Sequence, residues 1–117
     1  MNLADFLVKM AEQPQSIQFS DTMAVIDALY DFTPVAFRNG DVENAAGQNN
    51  GSCKIFAFAQ QHQLTEEQTL ACFGDYYRKD VLENPQGEDH QNIRQFMRQG
   101  WAGIAFSTMP LQEKSGA

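Results

Sequence analysis

Prolines at positions 14, 34 and 85 set the ends of the first two helical patterns in this chain and mark a turn before the last. Proline lacks the amide hydrogen that a helical ladder needs, and it pushes the residue before it toward extended backbone. Between these stops, apolar residues recur at helical spacing. Leu3, Phe6, Leu7 and Met10 fall at i, i+3, i+4 and i+7 and predict a helix over 2–13, with Asn2 as N-cap. Met23, Ile26 and Tyr30, with Val25 and Leu29 on the adjacent stripe, predict a second over 20–32, capped by Ser20 or Asp21. A third over 53–63 starts at Ser52 and turns Ile55, Phe56 and Ala59 inward, so that Phe58, off that stripe, is either covered from another side or marks a contact surface. Thr65-Glu66-Glu67-Gln68 reads as a capping box opening a fourth helix over 66–82. Gly74 weakens its middle by about 1 kcal/mol relative to Ala, which allows a break there. The turn Asn84-Pro85-Gln86-Gly87 precedes a fifth helix over 90–99, capped by Asp89, with Ile93, Phe96 and Met97 inward and Gly100 past its end.

The remainder is irregular. Val35–Arg38 and Trp101–Phe106 are candidates for a two-strand ribbon, Asn39-Gly40 is a turn signal, and 110–117 reads as a loose tail. Nine Phe, three Tyr and one Trp supply the core of a chain of 117 residues, a length that suits one domain. Each aromatic buries on the order of 150–250 Å². The expected architecture is mainly α: a single compact domain over 1–117 with five helices and at most a small two-strand β element. Phe6, Ile26, Phe56, Leu70, Phe73, Ile93 and Phe96 are expected to be buried together.

Charge excludes some functions. Eight Lys+Arg against 15 Asp+Glu leave a net of −7. The one adjacent basic pair, Arg78-Lys79, is followed at once by Asp80. Such a chain lacks the basic footprint of a nucleic-acid binder, so no nucleic-acid partner is expected. No apolar run approaches the ~20 residues that a membrane helix needs, so no membrane insertion is expected either. The N-terminal stretch has no basic region before its apolar residues, and Asp5 interrupts them. It is not a signal peptide, and the protein is expected to be cytoplasmic as made. Two cysteines are too few for a disulfide framework or a cysteine zinc site. Both are expected to be free thiols, with Cys72 deep in the core. No phosphate-binding loop, dinucleotide fingerprint, zinc-protease pair or nucleophile elbow is present, so no cofactor and no metal are assigned.

Three stretches carry polar side chains that core packing leaves unexplained. In Asn44–Lys54, glycines, carboxamides and a helix start could cradle a carboxylate or phosphate beside Lys54. A polar loop that merely turns, with Ser52 as a cap, explains the same residues. Cys53 sits in a first helical turn, where a thiol can be activated, although a small packed cysteine is the plainer reading. In Asp75–Asp80, two adjacent tyrosines cannot both face one side of a helix, so one is core and the other is free for a pocket beside Arg78. In Glu88–Asn92, His90 follows two acidic residues that could hold a divalent metal, or Asp89 simply caps a helix. If the three stretches meet, Asn49, Ser52, Lys54, Tyr76, Arg78, His90 and Asn92 form a ligand site: amides and Lys54 for an anion, Arg78 for bidentate contact, and His90 for proton transfer near neutral pH.

Several longer motifs come in order along most of the chain. They include Tyr30-Asp31-Phe32-Thr33-Pro34, Gln48-Asn49-Asn50-Gly51-Ser52-Cys53-Lys54, Ala71-Cys72-Phe73-Gly74-Asp75-Tyr76-Tyr77-Arg78, Asp89-His90-Gln91-Asn92-Ile93-Arg94 and Gly100-Trp101-Ala102-Gly103-Ile104. From about Phe19 to Phe106 this series resembles the HopJ family of type III effector proteins. The resemblance implies a bacterial α-rich domain delivered into a host cell by a type III system. There it would act on a host or cellular protein partner, with no catalytic residue assigned. The alternative is a cytosolic small-ligand-binding protein or enzyme with its pocket near Lys54, Arg78 and His90.

Overall fold

A computed structural model describes residues 1–114 of the chain. Helix α1 (Leu3–Glu12) buries Phe6 and Met10, and the Asn2 side chain accepts the Asp5 amide at 2.8 Å. A 3-10 turn at Pro14–Ser16 leads into α2 (Phe19–Leu29). Its cap is Gln18, not Ser20 or Asp21. Asp21 works from the third position of the helix, where its carboxylate accepts the Gln18 amide at 3.0 Å.

Helix α2 ends before the predicted residue 32, because Tyr30–Phe32 form strand β1. Its antiparallel partner is β5 (Leu111–Glu113), with Asp31 opposite Gln112. The expected loose tail is therefore ordered up to this strand, and Leu111 is buried. Residues 115–117 of that expectation lie outside the described residues. The second sheet has the order β3-β2-β4, from β2 (Phe37–Asn39), β3 (Val42–Asn44) and β4 (Ile104–Phe106). The predicted pairing of the Val35–Arg38 and Trp101–Phe106 segments is present, with Phe37 opposite Phe106 and their rings 5.7 Å apart. Strand β3 was not anticipated. The fold is helical with two small antiparallel sheets in place of one ribbon, a more mixed architecture than expected.

Helix α3 (Asn50–Gln61) runs through the centre. Five consecutive residues, Ile55, Phe56, Ala57, Phe58 and Ala59, are fully buried, so this helix is covered on all sides. Phe56 meets Phe96 at 5.0 Å and Phe73 at 5.6 Å, while Phe58 meets Phe6 at 5.9 Å. All seven predicted core residues are buried in one cluster.

The capping box opens α4 (Glu66–Ala71), with Thr65 and Gln68 exchanging hydrogen bonds of 3.0 and 3.1 Å. The helix then breaks, and a π-helical turn (Tyr76–Val81) follows. Gly74 has φ +61°, and a Cβ there would lie 2.6 Å from the Phe19 amide nitrogen. The start of α2 thus lies against the break and leaves no room for a side chain at position 74. Helix α5 (Gln91–Gln99) and a 3-10 turn at Gly100–Gly103 lead to β4. Met97, predicted inward, is 44% exposed. The inward face of α5 also carries polar residues, Asn92, Arg94 and Gln95. No helix among the described residues is long and apolar enough to cross a membrane.

Candidate functional site

Helices α3 and α5 each begin on a non-glycine residue in left-handed conformation: Asn49 (φ 53°, ψ 49°) and His90 (φ 51°, ψ 49°). Asn and His are among the residues that tolerate this region. Neither helix has a side-chain cap, which corrects the roles predicted for Ser52 and Asp89. Ser52 falls inside the first turn of α3. Asp89 is held by Arg94, whose guanidinium donates to its carboxylate at 2.6 Å. That bond holds the Asp89 carboxyl below its ordinary range, despite some desolvation. Arg94 is buried and also donates to the carbonyls of Asp89 (2.6 Å) and Asn84 (3.1 Å). It folds the 84–89 loop and so sets the position of His90.

The two helix starts meet at a cleft of about 310 Å³. Asn49, Ser52, Tyr76, His90 and Asn92 line it, with Phe19 and Phe73 as apolar walls. First-turn amides have no partner within their own helix, and Gly51, Ser52, Gln91 and Asn92, which line this cleft, belong to the first turns of α3 and α5. His90 Nε2 lies 3.0 Å from Asp80 Oδ2. In the neutral ring this bond assigns the proton to Nε2 and leaves Nδ1 as an acceptor. The His90 ring lies 5.2 Å from Tyr76, which packs edge-on against Phe19 at 5.0 Å. Tyr77, the other tyrosine of the pair, packs against the core.

An asparagine network supports the site from beneath. Asn92 Oδ1 accepts from Asn39 and Asn44, both at 3.1 Å, and Asn92 Nδ2 donates to Asn44 Oδ1 at 3.0 Å. Asn49 Nδ2 donates to the same Asn44 oxygen at 2.7 Å. Two residues of the cleft are thus tied to the β2-β3 hairpin. The sequence marks Asn39 as a turn residue and Asn44 as the start of a polar loop; their role beneath the cleft depends on the β2–β3 pairing, which three-residue strands do not announce. Asp80 was seen only as part of a charged cluster.

Two predicted residues lie elsewhere. Lys54 Nζ is 2.9 Å from Asp27 Oδ1 and 5.1 Å from the centre of the Phe32 ring, facing α2 and β1. Arg78 donates to the carbonyls of Pro14 (3.4 Å) and Ile17 and sits 3.7 Å from Asp75. Each cation satisfies protein acceptors away from the cleft, so no Lys or Arg side chain lines it. The cysteines are free and buried. Burial pushes the Cys53 thiol up to about 11 and the Cys72 thiol up to about 12. The first-turn position of Cys53 does not activate it, because desolvation outweighs any helix-dipole effect. No group of three His, Cys, Asp or Glu side chains able to hold a metal occurs among the described residues.

The crystal structure of unknown function protein VPA0580 superposes with a TM-score of 0.96 at 56% sequence identity, covering 97% of this chain and 95% of that one. No curated protein sequence matches the chain. The family of HopJ type III effector proteins matches over residues 3–111, from the first residue of α1 to the first of β5, and the chain belongs to that family.

Proposed function

We propose that this chain, acting as one domain over 1–117, binds a small acceptor-rich molecule between the starts of α3 and α5. The observation that carries this reading is the meeting of two uncapped helix starts with His90 and Tyr76 around one cleft of about 310 Å³. Small-molecule sites typically occupy roughly 300–1,000 Å³, so the ligand is at the small end. Amide donors at a helix start favour a carboxylate or phosphate oxygen. The lack of a lining Lys or Arg argues for one charge in place of a polyphosphate. Tyr76, Phe19 and Phe73 suit a flat apolar body, and His90 Nδ1 can take a hydrogen bond or a proton from the ligand.

Thermal shift with benzoate, 4-hydroxybenzoate and inorganic phosphate as probes tests this. Stabilisation by a probe is expected in the parent chain and is expected to be lost in His90→Ala and Tyr76→Ala, with folding checked by circular dichroism. No response to any probe, or an equal response in both variants, overturns the reading.

The family match supports a second reading, an effector delivered by a type III system that engages a partner in the receiving cell. A reporter fused to the chain should leave cells only when a working type III apparatus is present. Export that ignores the apparatus, or none at all, removes that role.

A further inference from the structure

An asparagine followed by glycine is prone to lose its side-chain amide, because glycine has no side chain to keep its own nitrogen away from the carboxamide. The chain holds two such pairs, Asn39-Gly40 and Asn50-Gly51, and the fold treats them oppositely. At the first, Asn39 is fully buried and its amide donates to the Asn92 carbonyl at 2.7 Å. The Gly40 nitrogen donates to the Gly103 carbonyl at 2.9 Å, so nucleophile and leaving group are both tied down. At the second, Asn50 is exposed and is the first residue of α3, whose start has no side-chain cap. The first bond of that helix runs from the Cys53 nitrogen to the Asn49 carbonyl at 3.0 Å and passes over the pair. Among the described residues, neither the Asn50 carboxamide nor the Gly51 nitrogen has a hydrogen-bond partner. A helical backbone holds that nitrogen away from the carboxamide, but the restraint is weakest in a terminal turn, which frays. Packing keeps the glycine in place: a Cβ at position 51 would lie 2.9 Å from the Phe19 ring.

We infer that Asn50 is a self-modifying position, at which a neutral carboxamide becomes a carboxylate at the edge of the cleft. The Gly51 nitrogen attacks Asn50 Cγ and gives its proton to solvent. The bond from Cγ to the side-chain nitrogen breaks, and that nitrogen takes a proton from solvent and leaves as ammonia. Water then opens the cyclic imide. Opening at the side-chain carbonyl leaves aspartate, and opening at the main-chain carbonyl leaves isoaspartate, with one more methylene in the backbone. Asn49 and Gly51, on either side, line the cleft between α3 and α5, where no Lys or Arg side chain offsets a new negative charge. On the reading above that this cleft binds an anion, either product repels the ligand. Isoaspartate also shifts Asn49 relative to Asn44, to which it donates at 2.7 Å. A carboxylate is favoured at a helix start, so aspartate itself leaves α3 intact.

The test is to hold the native chain at pH 8, digest samples over time and follow both pairs by peptide mass spectrometry. Each conversion raises the mass by the difference between water and ammonia. Asn50 is expected to convert at least about tenfold faster than Asn39, because Asn39 must first be exposed by local unfolding. In the denatured chain the two should convert at similar rates, and Asn50→Gln should abolish the fast phase. An unmodified Asn50, or one no faster than Asn39 in the native chain, overturns the inference. Thermal shift with benzoate on Asn50→Asp, with folding checked by circular dichroism, reads the consequence for the cleft. Its affinity should fall about tenfold, and an affinity equal to the parent's overturns the link to the cleft. Should the parent itself give no response to benzoate, the binding reading falls while the mass spectra still decide the modification.

Discussion

At the end of α3, the Tyr30 hydroxyl and His62 Nε2 lie 2.8 Å apart, and the Phe58 ring lies tilted against the imidazole with centroids 4.5 Å apart. Burial lowers the His62 pKa below its ordinary value of 6.5, with Glu113 opposing. Below pH 6.5 the unfolded chain therefore binds a proton that the folded one resists. The contribution of His62 to stability is full above that pH and is lost as pH falls through it toward the folded value. Urea midpoints of the parent should drop between pH 7 and pH 5, and His62→Gln should flatten that slope. An unchanged slope would mean that other groups carry it. The cysteines give a second expectation at this scale. With both thiols buried and raised to about 11 and 12, neither should react with a thiol reagent at pH 8 in the native protein. Both should titrate after denaturation.

Among the elements, Gly74 is the most constrained joint. Alanine there must adopt φ +61° and place its Cβ 2.6 Å from the Phe19 amide. Gly74→Ala should cost at least about 2 kcal/mol, read by chemical denaturation; a loss under 0.5 kcal/mol would show that the junction can relax. The same joint shows what sequence can and cannot carry. The weak point was legible as a glycine in a helical pattern. The close approach of α2, which bars any side chain at that joint, depends on packing between segments. Helix α1 was legible from apolar spacing and the Pro14 stop, α3 from its apolar spacing, and α5 from apolar spacing and Gly100 past its end, while the capping box located α4. Strands of three residues cannot display an alternating period, so β3 and β5 left no signal and only the aromatic β2–β4 pair was read. The site follows the same division. Asn49, Ser52, Tyr76, His90 and Asn92 stood out as polar groups without local employment. Lys54 and Arg78 looked equally free until Asp27, and the carbonyls of Pro14 and Ile17, proved to be their distant partners.

Across the whole molecule, each sheet joins strands from opposite ends of the chain: β1 with β5, and the β2-β3 hairpin with β4. The loop between β3 and α3 is exposed, and at Gly47 an added Cβ would meet nothing within 4 Å. A break between Ala46 and Gly47 would leave both sheets and the α2–α3 contact spanning two separate peptides. Neither 1–46 nor 47–117 can complete a sheet or enclose α3, so each should show little ordered structure by circular dichroism. Mixing them should restore the parent spectrum, and a fragment that folds unaided would show that the two-ended sheets are dispensable. Reassembly of that kind would make the two fragments a split pair, and fusing each to one of two candidate interactors would turn it into a proximity reporter.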